Sequence, residues 1–410
     1  MFVAVRLGDL LRLGLLALLV AALSRLGGKW AAQPATTTPG RTILRYVEGY
    51  GQGPPISARA AVLMEAETGT VLFAHREHER RGPASTTKIM TAILALERGD
   101  LRERVTIGRR PAWTEGSTIG LRQGQVLTLR QLLYGLMMES GNDAAIAIAE
   151  HLAGSVERFV QQMNLRAQQL GCWNTSFADP HGLSRTWEGH YTTALDLALL
   201  TRRALAIPEF ARVVRSRVKT VEEGDLPAWR FANTNRLLWS FGGADGVKTG
   251  TTSEAGYCLV ASANRDGFRL IAVVLDSADR WRDAAALLEY GYREFQPALL
   301  AVPGQPVGQA PVRWGMRRSV PVVPAGPVMA VVRRAEQGHL VAELQARPLL
   351  APVRPGDAAG RLIVRQGGEE ITSAEVRAAL AVPRRTLWRM VAAALWTLWR
   401  LAAAEAPPVR

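Results

Sequence analysis

The sequence has little cysteine, which limits the classes of protein that it can encode. Its 410 residues include only two, Cys172 and Cys258, too few for a disulfide framework and without metal-ligand spacing. The six histidines are scattered, and no two form the H-x-x-x-H pair of a helical metal site. We therefore expect no metal, no cofactor and two buried free thiols, with one disulfide as the alternative if the protein is exported.

The chain also lacks a dense basic tract with interleaved aromatic residues, so the sequence argues against nucleic-acid binding. It is nevertheless strongly basic, because 50 lysine and arginine residues against 36 aspartate and glutamate residues give a net charge of +14. This charge favours anionic surroundings such as acidic lipid head groups or an acidic cell-wall polymer, although a genome that prefers arginine would also produce it. A hydrophobic content of 48% allows a large core and two domains.

The hydrophobic run near the N-terminus is too short for a comfortable bilayer span. This stretch, from Leu13 to Leu23, follows two arginines and precedes Ser24, a pattern typical of a secretory signal peptide. We predict export, with residues 1–36 as a signal peptide or N-terminal membrane segment. Residues 37–57, rich in threonine, proline, glycine and glutamine, are predicted to be a linker.

The order of strand and helix patterns predicts an α/β (α+β) fold for residues 58–298. Ala58–Glu77 and Gly256–Ser277 each predict a strand hairpin. One sheet that contains both hairpins, with a cluster of helices inserted between them, satisfies this order. Helical periodicity covers Thr86–Arg98, Leu129–Glu139, Asn142–Ala153, Val156–Leu170, Tyr191–Ala204 and Trp281–Phe295.

The remainder of the chain predicts a small all-β domain and a C-terminal helix. Residues 299–376 are rich in valine, proline and glycine and contain strand-like pieces, Val328–Arg333, Leu340–Gln345 and Arg361–Gln366. In a helix over residues 384–404, three arginines fall within roughly 60° of one another on an otherwise apolar surface with tryptophans. Such an amphipathic helix suits a membrane anchor; a true span or a core helix is the alternative. We expect the protein at the outer face of the cytoplasmic membrane.

The stretch PASTTKIM, residues 83–90, places Ser85 three residues before Lys88 where a predicted helix begins. Positions i and i+3 share a helix face, and burial or a nearby cation favours a neutral lysine. A neutral amine can take the serine proton during attack on a carbonyl; a helix-capping serine is the alternative. A second match, Ser216 to Lys219, lies in a stretch that alternates like a strand, where residues three apart face opposite sides. We interpret it as fortuitous.

Two further motifs carry chemically useful groups. Ser140-Gly141-Asn142 joins two predicted helices, so its hydroxyl can relay protons and its amide can hold a substrate backbone, or it can cap a helix. Lys248-Thr249-Gly250 occurs once; its lysine and hydroxyl suit a substrate carboxylate, on a strand that can align an extended peptide. An exposed lysine before a turn is the alternative. Ser262-Ala263-Asn264 repeats the second motif inside a predicted strand and out of order.

In the order S-x-x-K, S-x-N and K-T-G, these motifs resemble those of the low-molecular-mass penicillin-binding proteins, the serine-type D-alanyl-D-alanine carboxypeptidases. Longer segments are similar too, among them SGNDAAIAIAEHLAGS, FADPHGLSRTWEGHYTTALDLA and DGVKTGTTSEAGYCLVASA. The resemblance runs from about Ala58 to Phe295, and LLAPVRPGDAAGRLIV is similar to the family's C-terminal β-domain. It implies a β-lactamase/transpeptidase-like fold, an antiparallel sheet flanked by helices with a helical subdomain. One departure is Asp179-Pro180, where many relatives have Asn-Pro.

The resemblance implies a role for each matched residue. Ser85 is expected to be the nucleophile that forms an acyl-ester, and Lys88 its proton acceptor. The implied substrate is a peptidoglycan stem peptide ending in D-Ala-D-Ala, which loses one D-alanine, and β-lactams are the implied covalent inhibitors. The other positions are expected to line the site. Ser140 and Asn142 would form its second wall, and the substrate-binding residues would be Lys248, Thr249, Gly250 and Thr251, of which Lys248 and Thr249 hold the terminal carboxylate. The backbone N–H groups of Ser85 and Thr251 would form the oxyanion hole.

Two other functions are open alternatives. A serine β-lactamase shares the fold, but it usually has Ser-Asp-Asn as its second motif and a deacylating glutamate. No convincing E-x-x-L-N segment lies between Asn142 and Lys248. A penicillin-recognising sensor or wall-binding protein without turnover would not need an intact set of Ser85, Lys88 and Lys248. We therefore predict the carboxypeptidase.

Overall fold

The computed structural model describes residues 44–391, apart from 48, 184–188, 224–225, 336–339 and 389, together with residues 395 and 396. The predicted signal segment, residues 1–36, lies outside the described residues. The helices of the described chain are α1 (Lys88–Arg98), α2 (Arg109–Ala112), α3 (Leu129–Met138), α4 (Asn142–Ala153), α5 (Val156–Gln169), α6 (Ala194–Leu205), α7 (Pro208–Val214), α8 (Leu237–Ser240) and α9 (Arg280–Glu294). The strands are β1 (Ala60–Glu65), β2 (Val71–His75), β3 (Arg104–Thr106), β4 (Val126–Thr128), β5 (Val218–Glu223), β6 (Leu226–Ala232), β7 (Ala244–Thr252), β8 (Gly256–Arg265), β9 (Phe268–Ser277), β10 (Phe295–Ala301), β11 (Gly308–Arg313), β12 (Ser319–Pro324), β13 (Val328–Arg333), β14 (Leu340–Ala346), β15 (Leu349–Leu350), β16 (Ala358–Gln366) and β17 (Glu369–Ala378).

A five-stranded antiparallel sheet, with strand order β2-β1-β9-β8-β7, positions the candidate site. Both predicted hairpins are present, because β1 pairs with β2 and β8 pairs with β9. Asp266 and Gly267 join β8 to β9 with φ angles of 54° and 88°, as in the tight turn that an Asp-Gly pair favours. Since β1 also pairs with β9, one sheet contains both hairpins, and the predicted fold class is confirmed.

Both faces of this sheet are covered by helices. In β1, Ala60, Val62 and Met64 pack into a core shared with α1 and with α3 to α7. The alternate residues Ala61 and Leu63 enter a second core that contains α9. Side chains alternate across a strand with a period of two, so a strand with an unbroken apolar run such as Ala60–Met64 must lie between two layers.

Helical periodicity located the six longest helices with differences of at most three residues at their ends, whereas the short helices α2, α7 and α8 were not predicted. The predicted helix Asn142–Ala153 coincides with α4. The predicted helix Tyr191–Ala204 begins later, at Ala194, because the Thr193 hydroxyl accepts a hydrogen bond from the Asp196 N–H and caps α6. The prediction Thr86–Arg98 needs a correction. Residues Ala84–Thr87 form a 3₁₀ turn and α1 begins only at Lys88.

The C-terminal region is an all-β domain, as predicted. Six strands pair in the order β14-β16-β17-β12-β11-β15, and β10 pairs with β13. Strand β13 coincides with the predicted strand Val328–Arg333. Since β10 begins at Phe295, pairing within this region starts ahead of residue 299, and the domain limits stay a prediction. The core of the domain includes Val320, Val322, Leu362, Val364 and Val376.

Cys172 and Cys258 are buried and unpaired, which confirms the prediction of free thiols. Burial raises the pKa of both thiols, to about 11 for Cys258. Neither thiol is therefore available as a thiolate nucleophile near neutral pH.

The predicted C-terminal helix over residues 384–404 is described only in part. Its described helical positions carry exposed apolar side chains, Leu387, Trp388, Met390, Val391, Leu395 and Trp396. Within the part of the chain that the structure describes, no helix combines the length and apolar character that a bilayer crossing needs.

Candidate active site

Ser85 and Lys88 meet at the junction of the 3₁₀ turn and α1. The Lys88 Nζ lies 2.9 Å from the Ser85 Oγ. Lys88 is fully buried, whereas Ser85 is only partly buried and can be reached by a substrate. Ser85 lies in the turn and not in the helix, but its hydroxyl still contacts the amine of Lys88 three residues later, as predicted from the motif.

The partners of Lys88 determine what its amine can do. Besides Ser85, the Nζ contacts the Asn142 Oδ1 at 2.7 Å and the His181 carbonyl oxygen at 2.8 Å. Both of these oxygens can only accept hydrogen bonds, so a neutral amine donates its two N–H groups to them. Its lone pair then faces the Ser85 hydroxyl, which is the arrangement of a general base and a nucleophile.

The surroundings of Lys88 favour this neutral form. Burial lowers the pKa of Lys88 well below its usual value, and the charge of Lys248 lowers it further. Asp179 and Asp143 act in the opposite direction, but less strongly. A lysine with its amine desolvated beside another cation is a candidate base at physiological pH.

Asn142, in the second motif, lies at the start of α4 with its amide fixed in one orientation. Its Nδ2 donates to the Glu115 carbonyl oxygen at 2.7 Å, so its Oδ1 faces Lys88. Ser140 lies two residues before it, buried and with a positive φ of 63°. The structure therefore brings Asn142 into contact with Lys88 and holds Ser140 in the adjoining turn.

The third motif lies on β7, at the edge of the sheet. Lys248 is buried and its Nζ donates to the Thr249 carbonyl oxygen at 2.9 Å. Burial, with a further contribution from the charge of Arg280, lowers the pKa of Lys248 to about 7. The Thr249 hydroxyl lies 2.9 Å from the Thr234 hydroxyl. Lys248 and Thr249 are thus consecutive residues of an edge strand, and each has a polar partner.

Gly250 brings the third motif against the first. A Cβ added at Gly250 would lie 3.1 Å from the Ala84 Cβ and 3.2 Å from the Ser85 backbone nitrogen. Glycine suits this close approach, because a larger residue would have to displace the 3₁₀ turn by a few tenths of an ångström. The following residue, Thr251, is exposed, so the strand reaches solvent directly after its contact with the turn that contains Ser85.

A loop that was not among the predicted site residues completes the surroundings of Lys88. Asp179 accepts hydrogen bonds from the N–H groups of His181 and Gly182 and so holds the carbonyl that Lys88 contacts. Burial would raise the pKa of Asp179, but His181, His190 and the Gly182 N–H keep it below its usual value. A Cβ at Gly182, whose φ is 90°, would lie 1.8 Å from the Ala84 carbonyl oxygen. In the sequence, these residues belong to the segment FADPHGL, residues 177–183, whose similarity to the family could have indicated a role in the site.

Arg280 and Thr234 were also missed. Arg280, the first residue of α9, donates from its Nη1 to the Gly250 carbonyl and the Thr251 hydroxyl, each at 2.8 Å. Neither residue was assigned to the site, because each reaches β7 from another segment of the chain. Arg280 therefore adds positive charge to the site that sequence reasoning did not anticipate.

The structure does not bring the fortuitous motif matches into the site. Ser216 follows α7, outside the strand that was predicted for it, and its hydroxyl donates to the Arg212 carbonyl at 2.9 Å. Lys219 lies on β5 with its Nζ over the Tyr134 ring. Ser262 is buried on β8 and donates to the Asp245 carboxylate. None of these contacts places a lysine beside a serine hydroxyl.

Comparison with known proteins agrees with this geometry. Residues 50–279 match the family model of the D-alanyl-D-alanine carboxypeptidases. The chain belongs to this family. Residues 295–384 match the C-terminal domain of penicillin-binding protein 5, which supports the all-β assignment. The predicted serine-type carboxypeptidase function is thereby confirmed over the β-lactamase and sensor alternatives.

Individual carboxypeptidases are similar over most of the chain. The D-alanyl-D-alanine carboxypeptidase DacF of Bacillus subtilis is 34% identical over 331 residues, which cover 78% of this chain and 85% of that one. DacC of Escherichia coli is 34% identical over 339 residues, covering 78% and 83%. The crystal structure of penicillin-binding protein 5 from Haemophilus influenzae has a TM-score of 0.72 at 31% identity and covers 81% of this chain and 99% of its own. The carboxypeptidase fold therefore extends through both the sheet and the C-terminal β-domain.

Proposed function

We propose that Ser85 is the nucleophile and Lys88 the general base of this carboxypeptidase, and that the substrate is a peptidoglycan stem peptide ending in D-Ala-D-Ala. The observation that carries the proposal is the 2.9 Å contact between the Ser85 Oγ and the Lys88 Nζ, whose other two neighbours can only accept hydrogen bonds. Release of D-alanine from a synthetic peptide ending in D-Ala-D-Ala tests it, and the Ser85→Ala variant should release none.

In the first step, the Ser85 Oγ bonds to the carbonyl carbon of the penultimate D-alanine while its proton moves to the Lys88 Nζ. The negative charge that develops on the carbonyl oxygen is stabilised by the backbone N–H groups of Ser85 and Thr251. The bond to the last residue then breaks, and D-alanine leaves with a proton on its nitrogen. Water attacks the remaining acyl-ester and frees Ser85; Ser140 is the candidate to relay protons between these steps.

Lys248 and Thr249 bind the terminal carboxylate of the substrate. An ammonium and a hydroxyl pair well with a carboxylate at the end of an extended peptide. The free side of β7 can align that peptide by strand addition, and Arg280 adds positive charge behind Thr251. β-Lactams combine a reactive amide with a carboxylate, so the same groups would bind them, and Ser85 would be acylated covalently.

The pKa of Lys248 predicts a decline in activity at alkaline pH. Its pKa is about 7 in the free enzyme, so the ammonium that binds the carboxylate is lost as the pH rises through that value. We expect kcat/KM for the peptide to fall above about pH 7. Lys248→Arg, which stays charged, should move this fall to higher pH. An unchanged alkaline decline in that variant would show that another group is responsible. The decline in activity at acidic pH is set by Lys88, because only the neutral form of its amine accepts the serine proton.

We also infer that the protein is exported and is held at the outer face of the cytoplasmic membrane by the helix over residues 384–404. The exposed Leu387, Trp388, Leu395 and Trp396 support this inference, since large apolar groups on a helix suit a lipid interface. Removal of residues 384–410 is expected to shift the protein from the membrane to the soluble fraction after cell lysis. Membrane retention of the shortened chain would point to the N-terminal segment as the anchor.

A further inference from the structure

A second exposed apolar surface lies in the C-terminal β-domain, on the turn between β11 and β12. Trp314, in this turn, is 72% exposed, and Leu350 on β15 is 67% exposed. The parallel pairing of β11 with β15 places Arg313 opposite Leu350, and the Ala351 N–H donates to the Arg313 carbonyl at 3.0 Å. We name residues 313–318 the Trp314 loop. Neighbouring exposed apolar side chains of this size indicate an interaction surface.

Backbone hydrogen bonds attach the Trp314 loop to the chain that enters the C-terminal helix. The Arg385 N–H donates to the Trp314 carbonyl at 2.7 Å, and the Met316 N–H donates to the Pro383 carbonyl at 2.9 Å. Leu387 and Trp388 follow directly and are more than four-fifths exposed, at 82% and 81%. The exposed apolar groups of the loop and of the first helical turn therefore lie on two segments that backbone hydrogen bonds hold together.

This surface is also strongly basic. Its exposed arginines are Arg313, Arg317, Arg318, Arg384 and Arg385. The sequence contains no aspartate or glutamate in residues 295–335, 346–356 or 379–404. A tryptophan and a leucine surrounded by arginines complement a partner that offers both apolar and anionic groups.

We propose that the Trp314 loop binds the head-group region of an anionic phospholipid bilayer, beside the C-terminal helix. This proposal rests on the membrane anchoring inferred above. Tryptophan favours the boundary between lipid and water, and arginines near that boundary attract acidic head groups. An acidic wall polymer would satisfy the arginines but would leave Trp314 and Leu350 in water. With two contacts instead of one, the β-domain is held in one orientation on the membrane.

Vesicle sedimentation with the full chain tests the proposal. The vesicles contain equal parts of phosphatidylglycerol and phosphatidylcholine, or phosphatidylcholine alone. Trp314→Ser and the pair Arg317→Gln/Arg318→Gln should each weaken binding to the anionic vesicles, the pair by roughly thirtyfold, with no change in penicillin labelling. The matched controls, Trp173→Ser at a 67% exposed tryptophan and Arg102→Gln/Arg104→Gln, should bind like the wild type.

A fluorescent label reports the loop directly, independently of the other membrane contacts. The native cysteines are buried, so Trp314→Cys and Trp173→Cys can each be labelled with an environment-sensitive dye. The label at residue 314 should shift to the blue with anionic vesicles, and the label at residue 173 should not.

The outcomes separate the two proposals. If the wild type binds but the loop variants bind equally and residue 314 shows no shift, the loop proposal is wrong and the anchoring stands. If the wild type binds no vesicles, both are wrong. If the arginine variants lose affinity for soluble polyphosphate but keep their affinity for vesicles, the partner is an anionic polymer and the lipid proposal is overturned.

Discussion

Ser85→Ala is expected to abolish both D-alanine release and covalent labelling by fluorescent penicillin. Removing the hydroxyl removes the atom that forms the acyl-ester, and the loss of a nucleophile of this type lowers turnover by on the order of 10⁴- to 10⁶-fold. The variant should remain folded, since the substitution deletes one hydrogen bond, that to Lys88. Thermal unfolding and circular dichroism check the fold, while D-alanine release and gel fluorescence measure the activity.

Ser216→Ala is the matched control for this experiment. Ser216 also precedes a lysine by three residues, but its hydroxyl bonds to the Arg212 carbonyl. The control should keep wild-type activity and labelling. A labelled Ser85→Ala protein, or a Ser216→Ala protein that has lost its label, would contradict the assignment of the nucleophile.

Lys88→Met should reduce the rate of acylation by about 10² to 10⁴-fold, the usual contribution of a general base. Methionine keeps the length and apolar stem of lysine in a fully buried position but has no amine to accept the Ser85 proton. It also leaves the Asn142 Oδ1 and the His181 carbonyl without the amine donor, so a loss of stability of about 1–3 kcal/mol for each is expected. Stopped-flow acylation by penicillin measures the change in the acylation rate. Thermal unfolding measures the loss of stability.

Lys219→Met controls for the general loss of a lysine, because Lys219 is exposed and lies on β5 outside the site. It should acylate at the wild-type rate. Acylation of Lys88→Met within a few-fold of the wild-type rate would mean that another group accepts the serine proton. Ser140, in the turn before Asn142, would then be the next candidate.

Local sequence patterns were sufficient for much of the fold. The Asp266-Gly267 pair located the turn between β8 and β9, and 3.6-residue periodicity located α4 at both ends. The short pair of strands β3 and β4 was not predicted, because three-residue strands are too short to show a period. The first turn before α1 was also misassigned, since a 3₁₀ turn and an α-helix share the same local residue preferences.

The sequence by itself determined the three motifs, their order, and therefore the family and its reaction. It also marked Ser216 and Lys219 as a fortuitous match, but the strand argument for this was only half right, because Lys219 lies on β5 whereas Ser216 follows α7. Only the tertiary structure decided which groups set the chemistry of Lys88. The carbonyl of His181, the amide of Asn142 and the charge of Lys248 reach its amine from three distant segments. A pKa depends on the burial of the group and on the charges and hydrogen bonds around it in space. The sequence of a single chain does not give these neighbours, because they come from segments far apart along it.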